Sequence, residues 1–226
     1  SAASDSYKRR LKFKDLNRNG KLDKYEDWRL SVDERAKDLA KKMSVEQIAG
    51  LMLYSGHQAV PANEFGFASD TYNGKPFSQS GANPWDLSDA QKKFLKDDNL
   101  RHVLLVGVQS PEVAARWSNE MQAYVEGIGL GIPANNSSDP RHSGQVTGST
   151  VAEFNAGAGG EISVWPDGLG MAATFEPELV KRFGQIAAAE YRALGIGTAL
   201  SPQIDLATEP RWYRASMTFG ESPALA

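Results

Sequence analysis

The chain has no cysteine among its 226 residues. Disulfides and thiolate metal sites are therefore excluded, while the redox compartment stays open. It also lacks a strong charge of either sign. Lys and Arg number 25 against 28 Asp and Glu, a formal net charge of -3, which offers nucleic acid no basic field to follow. No apolar run approaches the ~18–20 residues that cross a bilayer, so no transmembrane segment is expected. The opening Ser1-Ala2-Ala3-Ser4 has neither the basic nor the apolar region of a secretory leader. What is present, 41% hydrophobic and 23% charged residues, suits an ordinary globular domain or part of a larger one. The closing Glu221-Ser222-Pro223-Ala224-Leu225-Ala226 reads as the first turn of a helix, and a longer parent chain is expected.

Beyond the first thirty polar residues, periodicity divides the chain into elements. Val32, Arg35-Ala36, Leu39-Ala40 and Met43 recur at three- and four-residue steps, a helix face. Ser44 with Gln47 three residues on forms a capping box that opens a second helix through Ile48, Leu51 and Met52. Residues 56–90, rich in Gly, Pro, Asn and Ser, predict a long loop of the kind that often carries function. A buried strand is predicted at His102–Val108, then a helix from Ser110-Pro111 to about Glu126. A short strand near Ile132 is expected to break into a polar turn over 135–144. A helix from about Pro177 to Leu194 and a strand at Ile196–Ser201 complete a βαβ rhythm, the mark of a parallel α/β sheet. The rhythm alone fits a doubly wound sheet and a barrel equally. In both, ligand groups gather at the C-terminal ends of strands, where Asn135–His142 and Asp205–Arg214 are expected. A doubly wound nucleotide enzyme is disfavoured, because Gly127-Ile128-Gly129-Leu130-Gly131 precedes a strand instead of coming after one.

Residues 15–26 fill a twelve-position EF-hand loop. Asp15, Asn17, Asn19 and Asp23 stand at positions 1, 3, 5 and 9, Gly20 at 6, Leu22 at 8 and Glu26 at 12, with Lys21 at 7 offering only its backbone carbonyl. Ca²⁺ wants six to eight oxygens, and the glycine permits the sharp turn. The competing reading is a solvated Asn/Asp/Gly turn between charged helices. A calcium sensor is disfavoured, since sensors pair two such loops and expose a Met-rich groove. A structural calcium clip is the expectation.

Five segments in order resemble one known family: Val32-Asp33-Glu34-Arg35-Ala36-Lys37-Asp38-Leu39-Ala40-Lys41-Lys42-Met43-Ser44-Val45-Glu46; Val103–Val108, similar to a first barrel strand; Gly131-Ile132-Pro133 with Asp139 and His142; Trp165-Pro166-Asp167-Gly168-Leu169-Gly170-Met171-Ala172-Ala173-Thr174-Phe175-Glu176-Pro177-Glu178-Leu179; and Glu209-Pro210-Arg211-Trp212-Tyr213-Arg214 with Thr218-Phe219-Gly220-Glu221-Ser222-Pro223. The family is glycoside hydrolase family 3, that of many β-glucosidases.

The resemblance implies the first part of a (β/α)₈ barrel over residues 31–226, and the loop pattern sets a helical EF-hand-like segment over 1–30 before it. It implies a retaining hydrolase of terminal β-D-glucosyl residues, periplasmic or secreted, acting on a glycoside or oligosaccharide. It further implies that Asp139 and Arg214 bind sugar hydroxyls; His142 is placed with them in the substrate-binding set, and by itself reads as a structural hydrogen-bonding residue sooner than as an acid or base. The nucleophilic aspartate and the acid/base glutamate of the family come later in the parent chain, so no catalytic residue is assigned here. An Asp139–Asp205 catalytic pair is disfavoured because the resemblance gives Asp139 a binding role. Asp139 before Pro140 also reads as a turn, and Arg214 as an ion-pair partner of Asp205 or Glu209. Trp165 and Trp212 read as core or as sugar platforms. The family's aliphatic filling is missing from Asn136-Ser137-Ser138, and Tyr213 stands where the family has glycine. A β-xylosidase, a β-N-acetylglucosaminidase and a non-catalytic calcium- or carbohydrate-binding module remain alternatives.

Overall fold

The computed structural model describes residues 4–8, 11–138, 142 and 161–226. An antiparallel hairpin of β1 (Ser4–Lys8) and β2 (Leu11–Asp15) comes first. Along β2 the pattern is two-residue, with Phe13 buried between exposed Lys12 and Lys14. The Phe13 ring stacks on Trp28 at 5.8 Å and lies under the Arg29 guanidinium. This corrects one expectation: a strand enters the acidic loop and a single 3-10 turn, Lys24–Glu26, leaves it, so the segment is not helix–loop–helix. The alternation of lysine and phenylalanine is a strand period, and no helix period exists there to compete.

Helices α1 (Val32–Lys42) and α2 (Val45–Leu51) are both opened by capping boxes, Ser31 with Glu34 and Ser44 with Gln47. Four parallel strands come next, in spatial order β3 (Tyr54–Val60), β4 (His102–Val108), β5 (Asn135–Ser138) and β6 (Thr198–Ala199). Between β3 and β4 lie α3 (Phe77–Ser80) and α4 (Asp89–Lys96); between β4 and β5 lies α5 (Pro111–Glu126); before β6 lie α6 (Gly168–Ala172) and α7 (Pro177–Ala193). Val103–Val108 is therefore the second strand of the sheet, not the first. The segment before it, Tyr-Ser-Gly-His-Gln-Ala-Val, has no aliphatic run to announce a strand.

The main core lies between the sheet and α5. Val113, Trp117, Met121 and Val125 fall at four-residue steps on one helix face and bury against Val103 and Leu105 of β4 and Val60 of β3. Polar chemistry is threaded through this layer. Trp117 Nε1 donates to Gln91 Oε1 at 3.0 Å, and Gln91 Nε2 donates to Gln58 Oε1 at 3.1 Å, so α5, α4 and β3 share one buried amide. Strand β5 is wholly polar yet buried. Asn136 Nδ2 donates to Ser118 Oγ, Ser137 Oγ to the Val103 carbonyl, and Thr198 Oγ1 to Asn135 Oδ1. A buried polar group left unpaired costs about 1–3 kcal/mol; these bonds knit the strand into both neighbours, while Asn136 Oδ1 and Ser138 Oγ find no partner among the described residues. Gly195, with φ +81, closes α7; a Cβ there would stand 2.3 Å from Ser118 Oγ, so only glycine lets the chain turn into β6 this close to α5.

Candidate functional site

All four strands run parallel, so their C-terminal ends share one edge, the edge at which parallel barrels hold their ligands. A cavity of about 710 Å³ opens where β3 and β4 end, lined by Val60, Pro61, Phe65, Phe67, Phe77 and Val108 among others. Loop residues 63–70 form its outer wall as a hydrogen-bonded knuckle. Asn63 N donates to Ala68 O, Asp70 N to Asn63 O, and Asn63 Nδ2 to Phe67 O at 2.7 Å. The wall was not anticipated residue by residue. Its signal is the pair of rings in Phe65-Gly66-Phe67, set in an otherwise polar loop.

The sequence-predicted sugar residues fall at or after this edge. Strand β5 ends at Ser138; Asp139 lies outside the described residues. His142 is buried, 3% exposed, with its ring edge-on to Tyr191 and Phe183 of α7. Its Nε2 stands 2.8 Å from Glu190 Oε2. Burial pushes the imidazole below its ordinary 6.5, and the Glu190 carboxylate offsets this only in part. Glu190 in turn accepts hydrogen bonds from Ser163 N and Ser163 Oγ, and Trp165 Nε1 donates to that hydroxyl. Trp165 also packs edge-on against Phe183 at 5.4 Å. His142 is thus held from behind by α7.

Arg214, half-buried, donates from Nε to Tyr213 Oη at 2.8 Å and lies over the same ring. Tyr213, the residue that departs from the family pattern, is therefore the arginine's own support. The anticipated partner Glu209 turns instead to Arg211, through two side-chain hydrogen bonds at 2.8 and 2.7 Å. That charged fork holds the Glu209 carboxyl down to about 2. Trp212 is half-buried and Asp205 exposed.

The acidic loop is ordered by its own oxygens. Asp15, 3% exposed, accepts from Asn19 N and Gly20 N; Glu26, 5% exposed, accepts from Leu16 N and Asp23 N. Asn19 Oδ1 accepts from Lys21 N, and Gly20 takes φ +74. Both Asn17 and Asn19 donate through Nδ2 to Asp23 Oδ2, while Lys42 Nζ stands 3.2 Å from Asp23 Oδ1. Burial alone would raise the Asp23 carboxyl, but the donors Asn17, Lys42 and Asn19 hold it below its usual value. Among the described residues no three His, Cys, Asp or Glu side chains converge as a metal-holding group. The side-chain acceptors gathered in the loop are all oxygens. The loop is pinned to the body by Tyr25 N on Asp38, Arg35 Nε on the Tyr25 carbonyl, Tyr25 Oη on the Leu130 carbonyl, and Lys14 paired with Glu126.

Residues 73–226 match the glycosyl hydrolase family 3 N terminal domain. The chain belongs to that family. It is 42% identical over 217 residues to a periplasmic beta-glucosidase/beta-xylosidase of Dickeya chrysanthemi, 95% of this chain and 30% of that protein. It is 35% identical over 213 residues to beta-glucosidase C of Emericella nidulans, 93% of this chain and 30% of that protein. A probable beta-glucosidase C of Aspergillus oryzae is 32% identical over 209 residues, 92% of this chain and again 30% of that protein. The chain thus spans about a third of the curated relatives it matches. Within this family 3 chain the parallel α/β sheet is present as four strands. Among the described residues no helix is long and apolar enough to cross a membrane.

Proposed function

We propose that the complete protein hydrolyses terminal, non-reducing β-D-glucosyl residues with retention, and that this chain supplies part of its sugar pocket. The observation that carries the reading is family membership together with 42% identity to a relative named for beta-glucosidase and beta-xylosidase activity. Asp139 accepts hydrogen bonds from sugar hydroxyls, as an ionised carboxylate does best. Arg214, braced on Tyr213, donates to the same sugar or to Asp139, and His142 steadies the segment from behind. The two catalytic carboxyl groups of a retaining enzyme, ~5–5.5 Å apart, belong to the remainder of the parent chain. A β-xylosidase is the second reading, favoured by the double name of the Dickeya relative. A periplasmic or secreted location goes with both.

We also infer a structural Ca²⁺ at residues 15–26. Asp15, Asn17, Asn19, Asp23 and Glu26 supply side-chain oxygens and Lys21 a backbone carbonyl, with the two asparagine amides turned to present Oδ1. A set made only of hard oxygens suits the ion.

The glycosidase reading is tested on the complete enzyme with p-nitrophenyl β-glucoside, β-xyloside and β-N-acetylglucosaminide. The β-glucoside is expected to turn over fastest. Asp139→Ala is expected to lower kcat/KM at least about a hundredfold, ~2.7 kcal/mol of transition-state binding. A loss of about threefold or less makes Asp139 a turn residue only, and turnover of none of the three glycosides ends the glycosidase reading.

A further inference from the structure

We propose that loop residues 61–76 carry the aglycone wall of the substrate site, in which Phe65 and Phe67, backed by Phe77, stack on the group joined to the sugar through the scissile bond. The proposal rests on the glycosidase reading above and assigns the side of the site that discriminates between leaving groups.

Four observations lead to it. The cavity lies at the C-terminal ends of β3 and β4, on the edge that also receives the segments after β5 and β6. Its volume, about 710 Å³, falls in the range of small-molecule sites, and its lining is apolar rings with a few polar groups, here Asn63 and Gln109. Phe65 is 85% exposed and Phe67 40% exposed, although large apolar rings gain by leaving water. The backbone that holds them out is fixed. Besides the knuckle bonds, Ser69 N donates to Gly66 O, and Ser78 N donates to Glu64 Oε1, tying the tip to the start of α3. Gly66 at φ +72 and Ala68 at φ +55 turn the chain so that the two rings flank one reversal. Phe67 leans on His57 of β3 with ring centroids 4.9 Å apart, and Phe77 stands edge-on to Tyr72. Two rings on a braced loop beside an open cavity form a platform waiting for a flat or apolar partner. The carbon-bound hydrogens of a pyranose face and the ring of an aryl group are such partners.

The rings stand outside the sugar-binding set of Asp139 and Arg214, so their effect is read by changing the leaving group while keeping the sugar. The complete enzyme and its Phe65→Ala, Phe67→Ala and Phe65→Tyr variants are assayed on phenyl β-glucoside, cellobiose and methyl β-glucoside. Where xylose is the preferred sugar, the matching xylosides are used. With Phe65→Ala, kcat/KM for the phenyl glucoside and cellobiose is expected to fall about tenfold, and for the methyl glucoside by less than about twofold, as expected when one ring contact is lost. Phe65→Tyr is expected to restore the aryl preference, with thermal melting unchanged throughout. An active parent whose variants lose methyl and phenyl glucosides equally, or lose neither, overturns the wall and leaves the glycosidase reading standing. So does a drop in melting temperature with no change in selectivity, which would mean that the rings are covered by another part of the protein. A parent inactive on every glycoside overturns both.

Discussion

Between the Glu190 carboxylate and the rings of Phe183 and Tyr191, the His142 imidazole sits where a positive charge is poorly solvated, and its affinity for protons is lowered by burial. Below its ordinary value of 6.5 the unfolded chain takes up a proton that the folded chain resists. This contribution to stability is therefore complete above that pH and shrinks as the pH falls beneath it. In thermal melts of the complete enzyme between pH 7.5 and about 5, His142→Asn is expected to lose less stability than the parent. Parallel melting curves for the two proteins would refute the assignment. Little of this was legible beforehand. The family pattern drew attention to His142, but Glu190 lies 48 positions away on α7, and only the fold brings the two together. Arg214 shows the same limit at short range. Glu209 and Asp205 both looked able to pair with it, but Glu209 forks onto Arg211 two residues on, and Arg214 Nε donates to Tyr213 Oη.

At the scale of elements, β4, α5 and α7 could be read from the chain with bounds close to those observed, because each has a full apolar period and α5 and α7 have a Ser or Pro at the start. Helix α4 starts only at the end of the loop expected over 56–90 and was not anticipated, although the capping box of Ser88 and Gln91 was there to be found. Strand β5 was expected to be a turn. Asn, Asn, Ser and Ser carry the composition of a turn, and only Ser118, Thr198 and the Val103 carbonyl, supplied by other elements, make them a buried strand. The acidic loop was legible as an oxygen-rich twelve-residue pattern, whereas its entering strand was not. Lys42 already stands at Asp23, so an incoming Ca²⁺ displaces a cation, and binding at the weak end, Kd about 10⁻⁴–10⁻³ M, is expected. Calorimetry on chelator-treated complete enzyme should show that heat, and Glu26→Gln should abolish it. At a hundredfold excess over Kd the ion should add about 2.7 kcal/mol of stability. The absence of any heat up to millimolar Ca²⁺ would return the loop to a plain turn.

The whole molecule is an open sheet of four parallel strands with two edges, β3 and β6, that pair with no further strand among the described residues. Helix α1 buries no residue, and Val32, Met52 and Leu53 stand exposed nearby. Unpaired edges and apolar faces invite association. Residues 1–226 produced alone are expected to self-associate in light scattering and to cleave no aryl β-glucoside. A monodisperse, active monomer would contradict this. The parallel α/β sheet was legible from the βαβ rhythm, while its first strand was not, for want of any apolar run. The Phe65 loop is moored at its base, and at its tip through Ser78 N donating to Glu64, Phe67 against His57 and Ala90 N donating to Asp70. At the base, Ala62 N donates to Tyr72 Oη, and the Asp89 carboxylate accepts from Thr71, Asn73 and Gly74. Doubling the length of a flexible tip between fixed ends costs only about 0.6 kcal/mol. With the anchors Asn63, Glu64 and Asp70 kept, an engineer can therefore exchange or extend residues 65–69 as a cassette, recasting which leaving groups the enzyme prefers while the sheet beneath keeps its stability.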